Sequence, residues 1–149
     1  MLNIENFTNL TIDIKFLEEI SKVLLKEFQS REIDLTVCNN QTIQQYNHEY
    51  RGKDRPTDVL SFPIGSDMII GMDIVMPLGS IVISADFVTK RAEEFGHRQS
   101  DELNLLFIHG LLHLLGYDHE VDNGEMRAKE LLLIEKFNLP KSLIIRTQG

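Results

Sequence analysis

The chain has 149 residues, 42% of them hydrophobic, and carries 23 acidic against 15 basic side chains for a formal net charge of −8. That length suits one ordinary globular domain, which buries about 68–70% of the surface its unfolded form exposes and so needs neither disulfides nor a structural metal. The charge excludes a general nucleic-acid-coating protein, whose affinity comes from Lys and Arg displacing phosphate counterions, but leaves room for a local basic site.

Residues 1–149 therefore read as one domain. The opening MLNIENFTNLTIDI has no basic n-region and no unbroken apolar h-region, and no run reaches about 18 apolar residues, so neither export nor membrane spanning is expected. Cys38 stands alone, which fits the reducing cytoplasm and reads as a small buried hydrophobe.

In chain order, residues 9–14, NLTIDI, alternate as a short strand, and residues 16–28 place Phe16, Ile20, Val23, Leu24 and Phe28 at helical spacing. Residues 33–38, IDLTVC, form a second strand, and Asn40 is a candidate N-cap for a helix over about 41–50. The loop 51-RGKDRPTD-58 sets Arg51, Lys53 and Arg55 at alternate positions, the densest local basic patch, although charges gather on solvated turns in any case. Residues 58–64 make a third strand, 65–79 a hairpin or flap, and 80–84 a fourth strand whose Ser84 caps the helix after it. Ser100 is a candidate cap for a helix over 101–115 with an acidic first turn, and a last helix runs over about 123–137, before Pro140. The pattern predicts an α+β fold: a small mixed sheet of about four strands packed with helices.

The stretch 109-HGLLHLLGYDHE-120 holds three of the five histidines. Residues four apart on a helix lie about 6 Å apart on one face, so His109 and His113 can aim nitrogens at one ion. In a continuous helix His119 would sit about 9 Å further along and on the wrong side. Gly116 falls where a left-handed residue would end the helix and return His119 as third ligand. Three nitrogens around Zn²⁺ leave a fourth position open, the pattern of a catalytic site. This spacing arises by chance in roughly 0.5% of chains with as many histidines, so it outweighs the alternative of three unrelated histidines. His48 and His97 lack such partners and read as ordinary.

The spacing matches the metzincin helix HExxHxxGxxH, except that Gly110 replaces the glutamate that serves there as general base. A peptidase is thereby disfavoured, and a helical glycine suggests that substrate or another backbone lies close to it. Phe107, Leu111, Leu112 and Leu115 form the core side of this helix. Asp118 orients a ligand histidine, acts as a base, or caps the turn, with orientation the favoured reading. Asp58 caps, positions Arg51, or anchors its loop, and Tyr117 reads as packing.

The segment HGxLHLxGYDH resembles the signature of the YbeY family of bacterial endoribonucleases and rRNA maturation factors; 47-NHEYRGKDRPTDVLSFP-63 is similar to its second block and 78-LGSIVIS-84 to its third. Ser80 stands where the third block has an acidic residue, so no carboxylate acts there. The resemblance implies a mixed sheet with helices, and a zinc-dependent, single-strand-specific RNase of 16S rRNA 3′-end maturation and ribosome quality control. Its partners would be rRNA precursor, the small ribosomal subunit and associated proteins. One Zn²⁺ would be held by His109, His113 and His119, polarising a phosphoryl oxygen or activating water. Arg51 would clamp the scissile phosphate, with Lys53 and Arg55 guiding the RNA; Arg51, His113 and Asp118 are the candidate catalytic set. Two alternatives stand beside it: a ribosome-bound factor with a structural zinc, and a zinc hydrolase of another ester or amide.

Overall fold

The computed structural model describes residues 2–26, 32–64 and 77–148. Its elements are β1 (Leu2–Asn6), α1 (Ile14–Leu24), β2 (Ile33–Cys38), α2 (Asn40–Arg51), β3 (Val59–Pro63), β4 (Gly79–Ser84), α3 (Ala85–Phe95), α4 (Gln99–Leu114), α5 (Glu125–Lys136) and α6 (Ser142–Gln148). The four strands lie in the order β1-β2-β4-β3, with β3 antiparallel to β4 and the other pairs parallel. This is the expected α+β fold. Among the described residues, no helix is long and apolar enough to cross a membrane.

The first strand is not where alternation places it. Leu10 and Ile12 do pack on the core, but the ladder beside β2 is taken by β1. Thr8 donates its N–H to Asn6 Oδ1 at 3.0 Å, and Asn6 Nδ2 donates to the Leu10 carbonyl at 2.7 Å. These bonds turn the chain out of the sheet, and residues 10–13 run on as coil into α1, whose cap Asp13 accepts from Phe16 N–H. Helix α2 is capped by Asn39 rather than Asn40: Asn39 Oδ1 accepts from Thr42 N–H at 2.9 Å, while Asn40 is engaged by Ser84 and Asp86. Helix α4 starts before Ser100, because Asp101 reaches back to the Arg98 N–H at 3.2 Å. Ser84 caps α3 as expected. Residues 65–76 of the expected hairpin or flap lie outside the described residues.

Side-chain alternation covers the sheet on both faces. Ile81 and Ile83 of β4 join Leu17 and Ile20 of α1 and Phe107, Leu111 and Leu112 of α4 in the main core. Leu60 of β3 and Val82 of β4 point the other way, against Ile43 of α2 and Cys38. Burial and the nearby Asp86 carboxylate push the Cys38 thiol up to about 11, so it stays protonated and inert.

Candidate metal centre

Helix α4 is the central helix. From Asp101 to Leu114 every residue is buried except His109 and His113, so the one face it turns outward is the face carrying two imidazoles. Its buried acids are paired. Glu102, fully buried, receives His97 Nε2 and Arg146 Nε, each at 3.0 Å. Arg146 also binds Asp58 at 3.0 Å, and His97 Nδ1 meets Ser142 Oγ at 3.0 Å. Removing one partner from such a buried network leaves an uncompensated charge, so it ties α6 firmly to α4 and to the start of β3.

The Nε2 atoms of His109 and His113 are 3.1 Å apart. Two nitrogens on one tetrahedral zinc would be separated by about 3.3 Å, from bonds of 2.0–2.1 Å. Beyond α4 the chain reverses. Gly116 adopts a left-handed φ of 98°, its N–H donates to the His113 carbonyl, and the Tyr117 N–H reaches back to the Leu112 carbonyl, both at 3.0 Å. This closes the helix in a Schellman turn. His119 returns, with ring centroids 5.4 Å from His109 and 5.8 Å from His113. One nitrogen from each of the three rings lies within 4.8 Å of the others.

The protonation pattern suits a cation. His109 Nδ1 lies 2.7 Å from Glu130 Oε1, which fixes the proton on that side and leaves the Nε2 lone pair facing His113. Burial, reinforced by neighbouring His109, lowers the His113 pKa below the usual imidazole value, favouring the neutral ligand form. His119 Nδ1 is buried with no hydrogen-bond partner, the kind of polar atom whose missing partner a metal would supply. These residues fit a metal ion. Beside them a cavity of about 270 Å³ is lined by His109, His119, Glu130, Asp58, Arg127 and Arg146.

Arg51 ends α2 at the β3 edge. Its Nη2 donates to the Ser61 carbonyl at 2.7 Å and its guanidinium lies 5.7 Å from the centre of the Phe62 ring. The Ser61 hydroxyl in turn donates to the Gly110 carbonyl at 3.0 Å. One serine thus connects the guanidinium to the helical turn between the two histidines.

Three comparisons bear on this arrangement. A family model described as "Endoribonuclease YbeY" matches residues 3–138. The chain belongs to the YbeY family. YbeY relatives named Endoribonuclease YbeY include one from a Sulfurovum species, 55% identical over 98% of this chain and 97% of its own length, and one from Aliarcobacter butzleri, 54% identical over 98% and 99%. The solution structure of TM1509 from Thermotoga maritima is also similar, with a TM-score of 0.60 and 30% identity over 92% of this chain and 89% of that one.

Within the YbeY motifs the structure gathers His109, His113 and His119, and links Arg51 to their helix. Lys53 and Arg55 stand exposed on the loop beyond Arg51. Asp118 gives its carboxylate to the Glu120 N–H at 3.0 Å, and its carbonyl accepts the Asp122 N–H, so the structure places it in the turn that carries His119. The carboxylate on a histidine ring belongs instead to Glu130, 3% exposed on α5. Glu130 went unnoticed in the sequence, yet a signal was there: it shares the stripe of Met126, Leu133 and Ile134, which the fold buries. An acid on an apolar stripe needs a partner. Asp58 binds Arg146 and the Val59 N–H rather than Arg51. The space beside Gly110 is filled by side chains of the sheet: an added Cβ would meet Ile81 Cγ2 at 2.8 Å and Ser61 Oγ at 3.3 Å.

Replacing Glu130 by Gln should weaken metal binding by about 10–100-fold without unfolding α4. Competition with a metallochromic chelator would measure it, and an unchanged affinity would show that the 2.7 Å contact does not tune the ligand.

Proposed function

We propose that residues 1–149 act as one zinc-dependent endoribonuclease domain on single-stranded RNA, in maturation of the 3′ end of small-subunit rRNA and in ribosome quality control in the cytoplasm. The observation that carries the reading is the bond chain from Arg51 through Ser61 to Gly110, which holds a phosphate-binding group in fixed relation to three gathered imidazoles. His109, His113 and His119 would hold the ion. When bound, zinc supplies Lewis acidity toward a phosphoryl oxygen. Arg51 has further N–H donors beyond the one given to Ser61, and these bind and orient the scissile phosphate and meet the charge that grows on it. Lys53 and Arg55 steer the flanking backbone. Precursor rRNA and the small subunit with its associated proteins are the partners on this reading.

The edge of the sheet argues against a peptide substrate. A peptide docking on β3 would need the edge groups of that strand. Asp58 Oδ1 accepts the Val59 N–H at 2.8 Å, Arg51 occupies the Ser61 carbonyl, and Pro63 has no N–H. An edge blunted at those points is poorly suited to strand addition.

The core is built without the metal, since α4 packs through Phe107, Leu111 and Leu112. Chelation should therefore abolish cleavage of a labelled single-stranded rRNA 3′ fragment while leaving the circular dichroism spectrum in place, and added zinc should restore cleavage. Cleavage that survives complete metal removal would overturn metal dependence. Unfolding on chelation would favour a structural ion in a ribosome-binding factor.

A further inference from the structure

Three aromatic rings meet beside Arg51. Tyr46 and Tyr50, one turn apart on α2, stack with centroids 6.2 Å apart and planes at 19°. Phe62 of β3 lies edge-on to Tyr50 at 5.3 Å and 6.5 Å from Tyr46. Tyr46 and Phe62 are anchored against Ile43, Leu60 and Val82, whereas Tyr50 is 60% exposed. An exposed ring backed by two anchored ones loses little freedom when a ligand covers it, which is the property that suits tyrosine to binding surfaces.

The charge beside it is also fixed in place. The Phe62 ring that supports Tyr50 is the ring under the Arg51 guanidinium. Lys53 and Arg55 follow on a loop pinned by Asn47, whose Nδ2 donates to the Arg55 carbonyl at 2.8 Å and whose carbonyl accepts the Lys53 N–H at 3.2 Å. Both acids of the loop are engaged, Asp54 by Gln44 Nε2 at 3.1 Å and Asp58 by Arg146 Nη2 at 3.0 Å. In a chain of net charge −8, cations beside an exposed ring match a polyanion that also carries flat aromatic groups.

We infer that Tyr50, backed by Tyr46 and Phe62, is a stacking platform for an unpaired base of the RNA whose phosphate Arg51 holds. The identity of the ligand rests on the endoribonuclease reading. Ser61 faces α4 and Phe62 faces α2, so the platform lies across the β3 edge from the histidines, with Arg51 between them. An RNA strand crossing that edge sets a base on Tyr50 and the same or a neighbouring phosphate on Arg51. Stacking accepts any base but requires a free face, which a base inside a duplex does not present. The platform thereby selects single strands without selecting sequence.

The chain contains no tryptophan, so Tyr50→Trp installs a lone fluorophore at the platform. Its emission should be quenched saturably by a short single-stranded oligoadenylate and not by an abasic ribose-phosphate oligomer of equal length. Tyr50→Leu should raise Kd and KM for single-stranded RNA by about tenfold, with kcat nearly unchanged, and Tyr50→Phe should restore both. Equal RNA binding by wild type and Tyr50→Leu, or equal quenching by the abasic oligomer, would overturn the platform; wild-type cleavage in the same assay would then leave the endoribonuclease reading standing. Base-dependent quenching with no cleavage by any variant would keep the platform and sink that reading. A wild type that neither binds nor cleaves would sink both.

Discussion

Replacing Arg51 by alanine is expected to lower cleavage of single-stranded RNA by about a hundredfold to a thousandfold, the usual cost of removing one donor aimed at developing charge. Metal content and melting temperature should stay close to wild type. The side chain is exposed, and what the fold loses is a single bond to the Ser61 carbonyl and the contact with Phe62, about 1 kcal/mol. The imidazoles are untouched, because their positions come from α4 and the turn at Gly116. Arg51→Lys separates charge from shape: it keeps the cation but not the planar fork or its place over the ring, and should fall between wild type and alanine. Cleavage by Arg51→Ala at the wild-type rate, with the same preparation and the same bound metal, would remove Arg51 from the chemistry.

Gly110→Glu would write the metzincin glutamate into this helix, and it is expected to unfold the protein rather than create a peptidase. The Cβ alone would come within 2.8 Å of Ile81 Cγ2 and 3.3 Å of Ser61 Oγ, closer than side chains pack without displacement. The carboxylate would then be forced between α4 and the sheet, against the side chains of Ile81 and Ser61. A buried, unpaired charge costs about 3–5 kcal/mol, against a total stability of about 5–15 kcal/mol for ordinary domains. Gly110→Ala isolates the steric part: overpacking costs about 1–3 kcal/mol, offset by about 1 kcal/mol of improved helix propensity. Thermal melts of the three proteins should rank wild type, then alanine, then glutamate. A Gly110→Glu protein that melts with wild type would contradict the contact at Ile81.

Local pattern shows in the sequence, whereas a contact between distant elements, such as that of Gly110 with Ile81, does not. Periodicity found β2 and β4 almost to the residue, because Ile33–Cys38 alternates apolar with polar side chains and Gly79–Ser84 carries the apolar run Ile81–Ile83, and it found the cap of α3 at Ser84. It failed at NLTIDI, where alternating Leu10 and Ile12 pack on the core without a ladder partner, since strand assignment depends on a neighbour that local pattern does not contain. It missed α6, a short helix held through Arg146 by Glu102 and Asp58, 44 and 88 residues away. The three histidines were legible because a helix and a glycine fix their spacing locally. Glu130 was not, because its contact spans 21 residues, and Gly110 was legible only as an anomaly whose cause, Ile81, lies on another element.

The three imidazoles are not equally mounted. His109 and His113 ride on a helix buried from Asp101 to Leu114 apart from themselves, so moving them means opening the core. His119 rides on a turn held by the Gly116 and Tyr117 amides and by Asp118, a segment that can open at far lower cost than the core. Any ion seated there would be released by its third ligand while the other two stayed in place. Escape of such an ion would begin at this turn and would be completed only when the two helix-borne imidazoles also let go.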